Sequence, residues 1–419
     1  MRRIAIVGAG QAGLHLALGL QGAPPGDAGG YEVLVVTDRT PEQIRAGRVQ
    51  STQLMFGPAR ALERAAGLNL WDGETPWTTG NRIITADPPG TADRMFGAPL
   101  DEPAQSVDLR VKTARWLELF EERGGRVEYR PVSADDLPGL AAAHDLTLLA
   151  SGRGGLGGVL GRDGRHSPYD RPQRALAVLY LHGVTPLPEV PGYLRMTTTP
   201  GTGELLTLPG RTLSGPCTIV MWQGVPGGPF DCWQDNPAPD AALARTLELM
   251  RVHAPWDYER CADAEPTDGG AALTGSLTPV VRHPVADVAP GSYVLGMADA
   301  VVLNDPLAGQ GSNNAAHCAD RYLRAILDRG TLPFDRAWAQ ETFASWWEHA
   351  RHTVMFSNLL VRPLPDHVQR VVGAAPEYPE IAHRYVNGFA HPADYREWLL
   401  DADRADAYLA AVTGGRTAT

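Results

Sequence analysis

Short apolar runs recur along the chain, and three of them share one pattern. Residues 4–7, 33–36 and 146–150 are apolar at nearly every position, as in strands that are buried on both faces of a parallel sheet. An apolar stretch at 14–20 follows the first run and has the length of a short helix. We therefore predict a strand–helix–strand unit at the start of the sequence.

A different pattern occupies the middle of the chain. Short β-like runs at 175–181, 204–208 and 217–222 are separated by proline and glycine turns. Such runs are typical of antiparallel strands. We therefore predict a mainly antiparallel sheet, inserted between about residues 172 and 283.

Helices are predicted outside this insert. Residues 107–123 carry apolar side chains on one helical face, and residues 315–327 form a helix after a return strand at 293–296. From about residue 335 onwards the pattern is helical, with several tryptophans supplying apolar contacts.

Composition excludes some classes of function. The chain has 419 residues, with 37 Lys plus Arg against 48 Asp plus Glu and a formal net charge of −11. Binding to nucleic acid needs clustered cations, so we expect no such partner. Lys112 is the only lysine, and no Gly-Lys-Ser/Thr exists to form a P-loop. A Schiff-base enzyme would have to use Lys112.

Cysteines, apolar run lengths and histidines indicate a reduced, metal-free protein of the cytoplasm. The four cysteines lack Cys-x-x-Cys spacing, which we interpret as reduced thiols. The first apolar run is too short for a signal peptide, and no run reaches the roughly 18 residues of a membrane span. His349 and His352 have i, i+3 spacing, but no third metal ligand is evident.

A glycine motif follows the first predicted strand. Gly8, Gly10 and Gly13 form Gly-x-Gly-x-x-Gly, in which the glycines allow a tight turn, close approach of a pyrophosphate and close packing of helix on strand. Asp38 comes 25 residues after Gly13, at the end of the second strand, where it could accept a ribose hydroxyl. The context predicts dinucleotide binding; a structural glycine turn is the alternative.

A second glycine-rich segment precedes the helix predicted at 315–327. Asp299 follows the return strand, and the segment 305–313 reads Asp-Pro-Leu-Ala-Gly-Gln-Gly-Ser-Asn. A glycine-rich helix start presents free N–H groups to an anion or a carbonyl, which suits the flavin end of FAD. A plain helix entry is the alternative.

A third match to Gly-x-Gly-x-x-Gly, at 152–157, has a weaker context. The glycine-rich segment 158–164 that follows it cannot propagate a helix, so we do not expect a second nucleotide fold. The sequence contains no Gly-x-Ser-x-Gly elbow either. With no evident nucleophile, metal or acid–base pair, a cofactor must carry the chemistry.

These segments together resemble the oxygenase component of two-component styrene and indole monooxygenases, the group E flavoprotein monooxygenases. The resemblance covers nearly the whole chain and is carried by residues 8–16, 37–39, 171–176, 200–205 and 305–313. It implies an α/β fold of the para-hydroxybenzoate-hydroxylase type, with a Rossmann-type FAD-binding domain, an inserted mainly antiparallel β substrate domain and a helical C-terminal region.

The resemblance also implies domain bounds and cofactor contacts. The expected segments are 1–170 (FAD-binding, first part, with a pocket segment at 48–105), 171–284 (substrate sheet), 285–334 (FAD-binding, second part) and 335–419 (helical region). The expected cofactor-binding residues are Gly8, Gly10, Gln11, Ala12, Gly13, Asp38, Arg39, Arg48, Arg110, Val132, Asp299, Pro306, Gly309, Gln310, Gly311, Ser312 and Asn313.

A few pocket positions separate the two substrate branches of the family. Styrene-type members carry Asn, Val and His where this chain has Ser51, Gln53 and Met55, whereas indole-type members resemble this chain at all three. Ala104 stands where styrene-type members have Ser, and Ile84 is the expected indole-type Ile of the segment 81–84. The resemblance therefore favours indole, with ordinary packing beside the flavin as the alternative.

The implied reaction uses FAD that a separate NADH:flavin oxidoreductase has reduced, together with O2. A flavin C4a-hydroperoxide would convert the C2=C3 bond of indole to an epoxide, leading to indoxyl and indigo. Ser51 or Gln53 could accept the indole N–H; styrenes and aryl sulfides are alternative substrates.

Three other functions stay open at this point. A single-component aromatic hydroxylase would take NAD(P)H itself. A flavin-dependent halogenase would need a Trp-x-Trp-x-Ile-Pro segment, which is absent, and a catalytic lysine. A non-catalytic flavin-binding sensor or carrier would release only peroxide.

Overall fold

The computed structural model describes residues 1–24, 29–151, 155–187 and 189–414. The strands are β1 (Arg2–Val7), β2 (Tyr31–Thr37), β3 (Leu54–Met55), β4 (Trp77–Ala86), β5 (Ala92–Ser106), β6 (Arg126–Tyr129), β7 (Leu146–Leu149), β8 (Ala175–His182), β9 (Tyr193–Thr199), β10 (Gly203–Thr212), β11 (Gly215–Gly224), β12 (Glu265–Pro266), β13 (Ala272–Ser276), β14 (Val280–Val281), β15 (Val285–Ala289), β16 (Ser292–Gly296) and β17 (Val302–Leu303).

The helices alternate with these strands and then fill the end of the chain. They are α1 (Gln11–Gly22), α2 (Pro41–Arg45), α3 (Gly57–Ala65), α4 (Leu109–Glu122), α5 (Leu137–Ala143), α6 (Pro239–His253), α7 (Pro255–Cys261), α8 (Gly311–Arg329), α9 (Arg336–Leu360), α10 (Asp366–Ala374), α11 (Pro379–Asn387), α12 (Tyr395–Trp398) and α13 (Ala402–Thr413).

The first sheet has six strands in the order β15-β16-β7-β1-β2-β6. All neighbouring strands are parallel except β15 and β16. The predicted strands at 4–7, 33–36, 146–150 and 293–296 fall in β1, β2, β7 and β16, so the strand–helix–strand unit is confirmed. Their side chains join those of α1, α4, α8 and α9 in one apolar core, which explains the absence of polar alternation.

The second sheet has nine strands, with the path β12-β8-β11-β10-β9-β4-β5-β3 and β13 paired to β8. Each neighbouring pair is antiparallel except β4 and β9, which are parallel. The mainly antiparallel character predicted from the sequence is therefore confirmed. The sheet is wider than predicted, because β3, β4 and β5 come from the segment that the sequence assigned to the nucleotide-binding part.

Both faces of the second sheet are covered. On β8, Val178 and Tyr180 belong to one apolar core, while Leu179 and Leu181 belong to another on the opposite face. The first core is closed by the C-terminal helices, and the second is closed by α6 and α7. We did not predict α6 and α7 from the sequence, because the proline and glycine turns around them favoured strands.

The helical C-terminal region is confirmed. Asp335 accepts a hydrogen bond from the backbone N–H of Trp338 (2.9 Å) and caps α9, a helix of 25 residues. The helix packs against α8, and the shorter helices after it carry a group of stacked and edge-on aromatic rings around Phe356 and Tyr395. Within the described residues, no helix is long and apolar enough to cross a membrane.

A buried ionic cluster joins the start of α4 to the second sheet. Arg110 is 1% exposed, and its guanidinium donates to Asp108 Oδ2 (2.9 Å), Asp268 (2.9 Å to each oxygen), Thr212 Oγ1 (3.0 Å) and the carbonyl of Gly47 (3.2 Å). These five hydrogen bonds use all five donors of the guanidinium. Arg110 therefore joins the start of α4 to the loop at Gly47 and to segments of the second sheet.

Replacing Arg110 with Met should lower the free energy of unfolding by about 3–5 kcal/mol, because the fully buried Asp108 loses its cationic partner. Urea denaturation followed by circular dichroism measures the change. The matched control is Arg115→Met on the same helix, where Arg115 pairs with Glu122 at the surface and its loss should leave the midpoint nearly unchanged. Equal midpoints for the two variants would contradict the structural role of Arg110.

Candidate functional site

The first glycine motif forms the turn between β1 and α1. Gly8 has φ +118°, and a Cβ on it would lie 3.0 Å from backbone atoms of Ala150 and Ser151. A Cβ on Gly13 would lie 2.2 Å from the carbonyl oxygen of Gly8. A Cβ on Gly10, by contrast, would meet no described atom within 4 Å. Gly8 and Gly13 are therefore required by packing, whereas Gly10 faces open space.

Open space at Gly10 lies at the N-terminus of α1. Gly10 is the N-cap residue and offers no side chain to the first N–H groups, and the described first turn carries no acidic residue. Unpaired N–H groups and the helix dipole favour an anion at such a position. This end of α1 fits the pyrophosphate of a dinucleotide.

Three predicted cofactor residues follow the carboxyl ends of strands near this turn. Asp38 comes after β2, Val132 comes after β6, and Asp299 comes after β16. Asp38 is exposed, and its Oδ1 lies 3.8 Å from Nε of Arg39. Because carboxyl ends of parallel strands share one edge of a sheet, these residues flank the glycine turn; their contacts with the cofactor stay predictions.

The second glycine-rich segment begins with a 3₁₀ turn at Pro306–Ala308. Asp305 accepts from the backbone N–H of Leu307 (3.1 Å), and burial raises the pKa of Asp305 to about 6. Gly309 has φ +64° and turns the chain into α8. A Cβ on Gly309 or Gly311 would meet no atom of the described chain within 4 Å, so this helix start is as open as the first.

Side chains at the start of α8 hold the loop in place. Asn313 donates to the carbonyls of Leu54 (3.0 Å) and Gly309 (2.9 Å), and its Oδ1 accepts from the backbone N–H of Phe56 (2.9 Å). Gln310 donates to the carbonyls of Ala308 (3.0 Å) and Phe389 (2.8 Å). These amides therefore position the backbone of the site and fasten it to β3.

The two helix starts lie next to each other. Gln11, the first residue of α1, donates to the carbonyl of Ser312 in the first turn of α8 (3.2 Å). One cradle with two open N-termini results, which offers a helix start to each half of a dinucleotide. The arrangement brings together the two groups of residues that the sequence predicted for FAD.

Two predicted cofactor-binding arginines have other partners. Arg48 is exposed and donates to Oδ1 of Asn236 (2.7 Å). All five N–H donors of the Arg110 guanidinium form hydrogen bonds within the buried cluster described above. Contacts of these two residues with the cofactor stay predictions.

An apolar cavity, the larger of two that flank β3, lies between the second sheet and the start of α8. Its walls are largely aliphatic and aromatic, and none of the described residues that line it is ionisable. The lining residues are Thr52, Leu54, Phe56, Thr78, Gly80, Asn81, Leu100, Leu194, Met196, Leu206, Leu208, Pro306, Leu307, Ala308, Gly309, Val386 and Phe389. The apolar lining, with two aromatic rings and few polar groups, suits a small aromatic molecule.

Side chains around β3 alternate between this cavity and the opposite side. The residues that line it are Thr52, Leu54 and Phe56. The residues predicted for the pocket lie between them: Ser51, Gln53 and Met55. None of these three residues lines the larger cavity, so the predicted residues form the layer beside the lining residues.

Hydrogen bonds occupy Ser51 and Gln53. Gln53 has φ +37° and donates to the hydroxyls of Ser106 (3.2 Å) and Tyr180. Tyr180 donates in turn to the carbonyl of Ser51 (2.7 Å), and burial raises the pKa of Tyr180 well above its ordinary value. This network fixes the chain path before β3.

Met55 borders a smaller cavity on the other side of β3. Its sulfur lies 3.2 Å from Nε2 of Gln11 and 3.0 Å from Nζ of Lys112. Lys112 forms a buried ion pair with Glu63 (2.7 Å), and burial raises the pKa of Glu63. The only lysine of the chain therefore serves a buried pair beside the cofactor cradle.

The other two predicted pocket residues lie on different faces of the second sheet. Ala104 is opposite Thr78 on the neighbouring strand and belongs to the same apolar core as Leu54, so it backs the larger cavity. Ile84 is buried, but it is the neighbouring residue Ile83 that belongs to the apolar core containing Leu54 and Ala104. Ile84 therefore points away from the cavity.

Thr78 and Asn81 are pocket residues that sequence reasoning missed. Both are buried, and both line the larger cavity. The sequence carried no signal for them, because the register irregularity that turns both toward the cavity appears only in the paired sheet.

The remaining sequence motifs form no further site that the structure describes. Residues 152–154 of the third glycine motif lie outside the described residues, and its second half forms a 3₁₀ turn at Leu156–Gly158. The ring of His349 stacks on that of His317 with 3.9 Å between centroids. Among the described residues, no three His, Cys, Asp or Glu side chains gather as metal ligands would.

Comparison with known proteins identifies related sequences. Residues 152–260 match the family model described as "Styrene monooxygenase A putative substrate binding domain". The chain is 31% identical over 326 residues to styrene monooxygenase StyA of Pseudomonas fluorescens. The aligned region covers 76% of this chain and 75% of that protein. The same identity and coverage hold for StyA of a Pseudomonas species.

Solved structures with low sequence identity share the fold. The myxobacterial chondrochloren halogenase CndH, an FAD-dependent halogenase, superposes with a TM-score of 0.63 at 16% identity, covering 100% of this chain and 98% of that one. A variant of 2-methyl-3-hydroxypyridine-5-carboxylic acid oxygenase gives a TM-score of 0.55 at 12% identity, covering 94% and 97%. The predicted fold class is thereby confirmed.

Two glycine substitutions should separate cofactor binding from folding. Gly10→Val places side-chain atoms in the open space at the start of α1, so it should weaken binding of FAD about tenfold or more while leaving the melting temperature nearly unchanged. Gly13→Ala forces a Cβ against the Gly8 carbonyl and should destabilise the fold by about 1–3 kcal/mol. Calorimetric titration with FAD and thermal unfolding measure the two effects; FAD binding by Gly10→Val at wild-type affinity would contradict the assignment.

Proposed function

The chain belongs to the styrene monooxygenase family, and from this premise we propose that it is an FAD-dependent epoxidase of the two-component type that acts on indole. Reduced FAD would come from a separate NADH:flavin oxidoreductase, and O2 would be the co-substrate. The product of oxygenation at C2=C3 would lead to indoxyl and indigo.

One observation carries this proposal. The apolar cavity and the dinucleotide cradle share a wall, because Pro306–Gly309 both lines the cavity and forms the entry to α8. FAD, when bound and reduced, supplies the activation of dioxygen and the transfer of one oxygen atom. A substrate in the cavity would then lie beside the cofactor with no ionisable side chain among the described lining residues.

The side chains of this chain bind, orient and exclude water. The open start of α1 would hold the pyrophosphate, and the backbone of Pro306 to Ser312 would hold the flavin end. Leu54, Phe56 and Phe389 give the cavity apolar walls. Orientation of the substrate and exclusion of water favour oxygen transfer over the loss of peroxide to solvent.

The indole preference rests on the layer behind the cavity. Ser51, Gln53, Met55 and Ala104 match the indole-type residues of the family resemblance, as does Ile84. These residues would influence the substrate indirectly. Gln53 and Ser51 hold the backbone before β3 in place through their hydrogen bonds with Tyr180. Ala104 keeps its part of the apolar core free of the hydroxyl that a Ser would add. A styrene-type epoxidase or sulfoxidase is the second candidate, because the matched relatives are styrene monooxygenases.

Turnover of the purified protein with a flavin reductase, FAD and NADH tests the proposal. With indole we expect blue indigo, and with styrene a slower formation of styrene oxide, both quantified by chromatography. Reduction of the flavin by NADH without the reductase would instead indicate a single-component hydroxylase. Oxygen consumption that yields only hydrogen peroxide with every substrate would indicate a flavin carrier and would refute the proposal.

Exchanging the layer behind the cavity should change the preference. The triple variant Ser51→Asn, Gln53→Val and Met55→His should raise the ratio of styrene to indole turnover, since it installs the styrene-type residues. The ratio of kcat/KM values measured for both substrates gives the result. Ala104→Ser is the matched single change on the cavity side of the sheet. An unchanged ratio of the kcat/KM values in the triple variant would contradict the indole-type assignment.

A further inference from the structure

The larger cavity contains two buried polar atoms without partners. Asn81 is 7% exposed and Thr78 is 1% exposed, and both side chains line the cavity. The Oδ1 of Asn81 and the Oγ1 of Thr78 find no hydrogen-bond partner among the described residues. Burying such atoms unpaired is costly, so a cavity that keeps them is one in which a ligand can satisfy them.

We propose that Asn81, supported by Thr78, is a further specificity-determining residue, which lines this cavity directly and accepts a hydrogen bond from a ring N–H on a flat aromatic substrate. This inference rests on the proposed function, because it concerns the substrate of the same site. The class of ligand is a bicyclic aromatic molecule with one N–H donor at its edge, of which indole is the simplest member.

The backbone of β4 explains why both side chains reach the cavity. Thr78 and Asn81 are three residues apart, and in a regular strand they would point to opposite faces. The pairing of β4 with β5 shifts register between Thr78 and Gly80. Between the pairs Thr78–Ala104 and Gly80–Pro99, β4 advances by two residues and β5 by five, so the regular alternation of faces is interrupted there. Ala104 and Ala98, the partners of Thr78 and Asn81, belong to the same apolar core, so Thr78 and Asn81 both face inward.

Gly80 keeps this irregularity in place. A Cβ on Gly80 would lie 2.3 Å from the ring of Tyr193 and 2.7 Å from the carbonyl oxygen of Ala98. Only glycine therefore fits between the two polar residues. The position of Asn81 is set by the packing of three strands and does not depend on a mobile loop.

Asn81 is also better placed than the acceptors expected from the sequence. Ser51 Oγ accepts from the backbone N–H of Gln53 (3.3 Å), and the amide of Gln53 donates to Ser106 and Tyr180. Gln53 Oε1 is buried without a described partner, as Asn81 Oδ1 is. Gln53 does not line the larger cavity, however, whereas Asn81 lies across from Leu194 on its wall.

A hydrogen bond at Asn81 would orient the ring. Pro306–Gly309 lines the same cavity and belongs to the entry to the cofactor cradle. A substrate that is held at its N–H edge can present only certain ring carbons to that wall. Asn81 would therefore decide which bond of the substrate is oxygenated as well as which substrate is preferred.

Binding of indole and indene to the protein loaded with oxidised FAD tests this inference. Indene has nearly the shape of indole but no N–H, and the oxidised flavin cannot start turnover. Calorimetric titration should give about tenfold tighter binding of indole than of indene to the wild type. Asn81→Leu keeps the side-chain volume and removes the hydrogen-bond acceptor. This variant should lose the preference, because it should bind indole more weakly and indene as tightly as the wild type does, or more tightly.

Two further measurements keep the result interpretable. Thr78→Val should lower the preference less than Asn81→Leu does, and Gln53→Leu tests the competing acceptor. If Asn81→Leu does not fold, 1-methylindole takes its place: the wild type should bind this donor-free analogue no more tightly than indene. An indole preference that survives in Asn81→Leu, or one that is lost only in Gln53→Leu, would overturn the assignment.

Failure of this inference differs from failure of the proposed function. The titration involves no reaction, so a binding preference at Asn81 can be present in a protein that fails to produce indigo. Conversely, indigo formation by a protein that binds indole and indene equally tightly would support the proposed monooxygenase function and contradict the role of Asn81 in specificity.

Discussion

The site depends on one constraint, which is that the two helix starts at the edge of the six-stranded sheet must have exposed backbone N–H groups. Gly8 and Gly13 bring α1 against the sheet, since a Cβ on either would collide with backbone. Gly10, Gly309 and Gly311 leave the space before α1 and α8 open. Gln11 then joins the two starts through the carbonyl of Ser312, so one continuous cradle results.

The second sheet takes its position from the same elements. Asn313, in the first turn of α8, forms hydrogen bonds with Leu54, Phe56 and Gly309, which fastens β3 to the entry of the helix. The larger cavity and the cradle therefore share a wall. Arg110 repeats this coupling at α4, where its buried guanidinium holds Asp108 and Asp268 together.

This arrangement separates two tasks that many enzymes combine. The cradle offers backbone dipoles to a cofactor, and the cavity offers apolar surface with a few polar atoms to a substrate. The FAD-dependent halogenase CndH shares the fold at 16% identity, and 2-methyl-3-hydroxypyridine-5-carboxylic acid oxygenase shares it at 12%. Fold alone therefore does not decide the reaction; the side chains of the cavity and the reactive cofactor beside it do.

Local patterns in the sequence by themselves determined the strand–helix–strand unit, both glycine-rich helix starts and the helical end of the chain. Turns, helix periodicity and buried strands depend on neighbouring residues, so the sequence shows them directly. Only the tertiary structure decided which residues line the cavity. Both faces of the second sheet are covered, so hydrophobicity could not tell Leu54 from Met55, or Ile83 from Ile84. The irregularity at Gly80, which turns Thr78 and Asn81 inward, arises in the pairing of β4 with β5, and it packs against Tyr193 of β9, a strand that lies far from β4 in sequence.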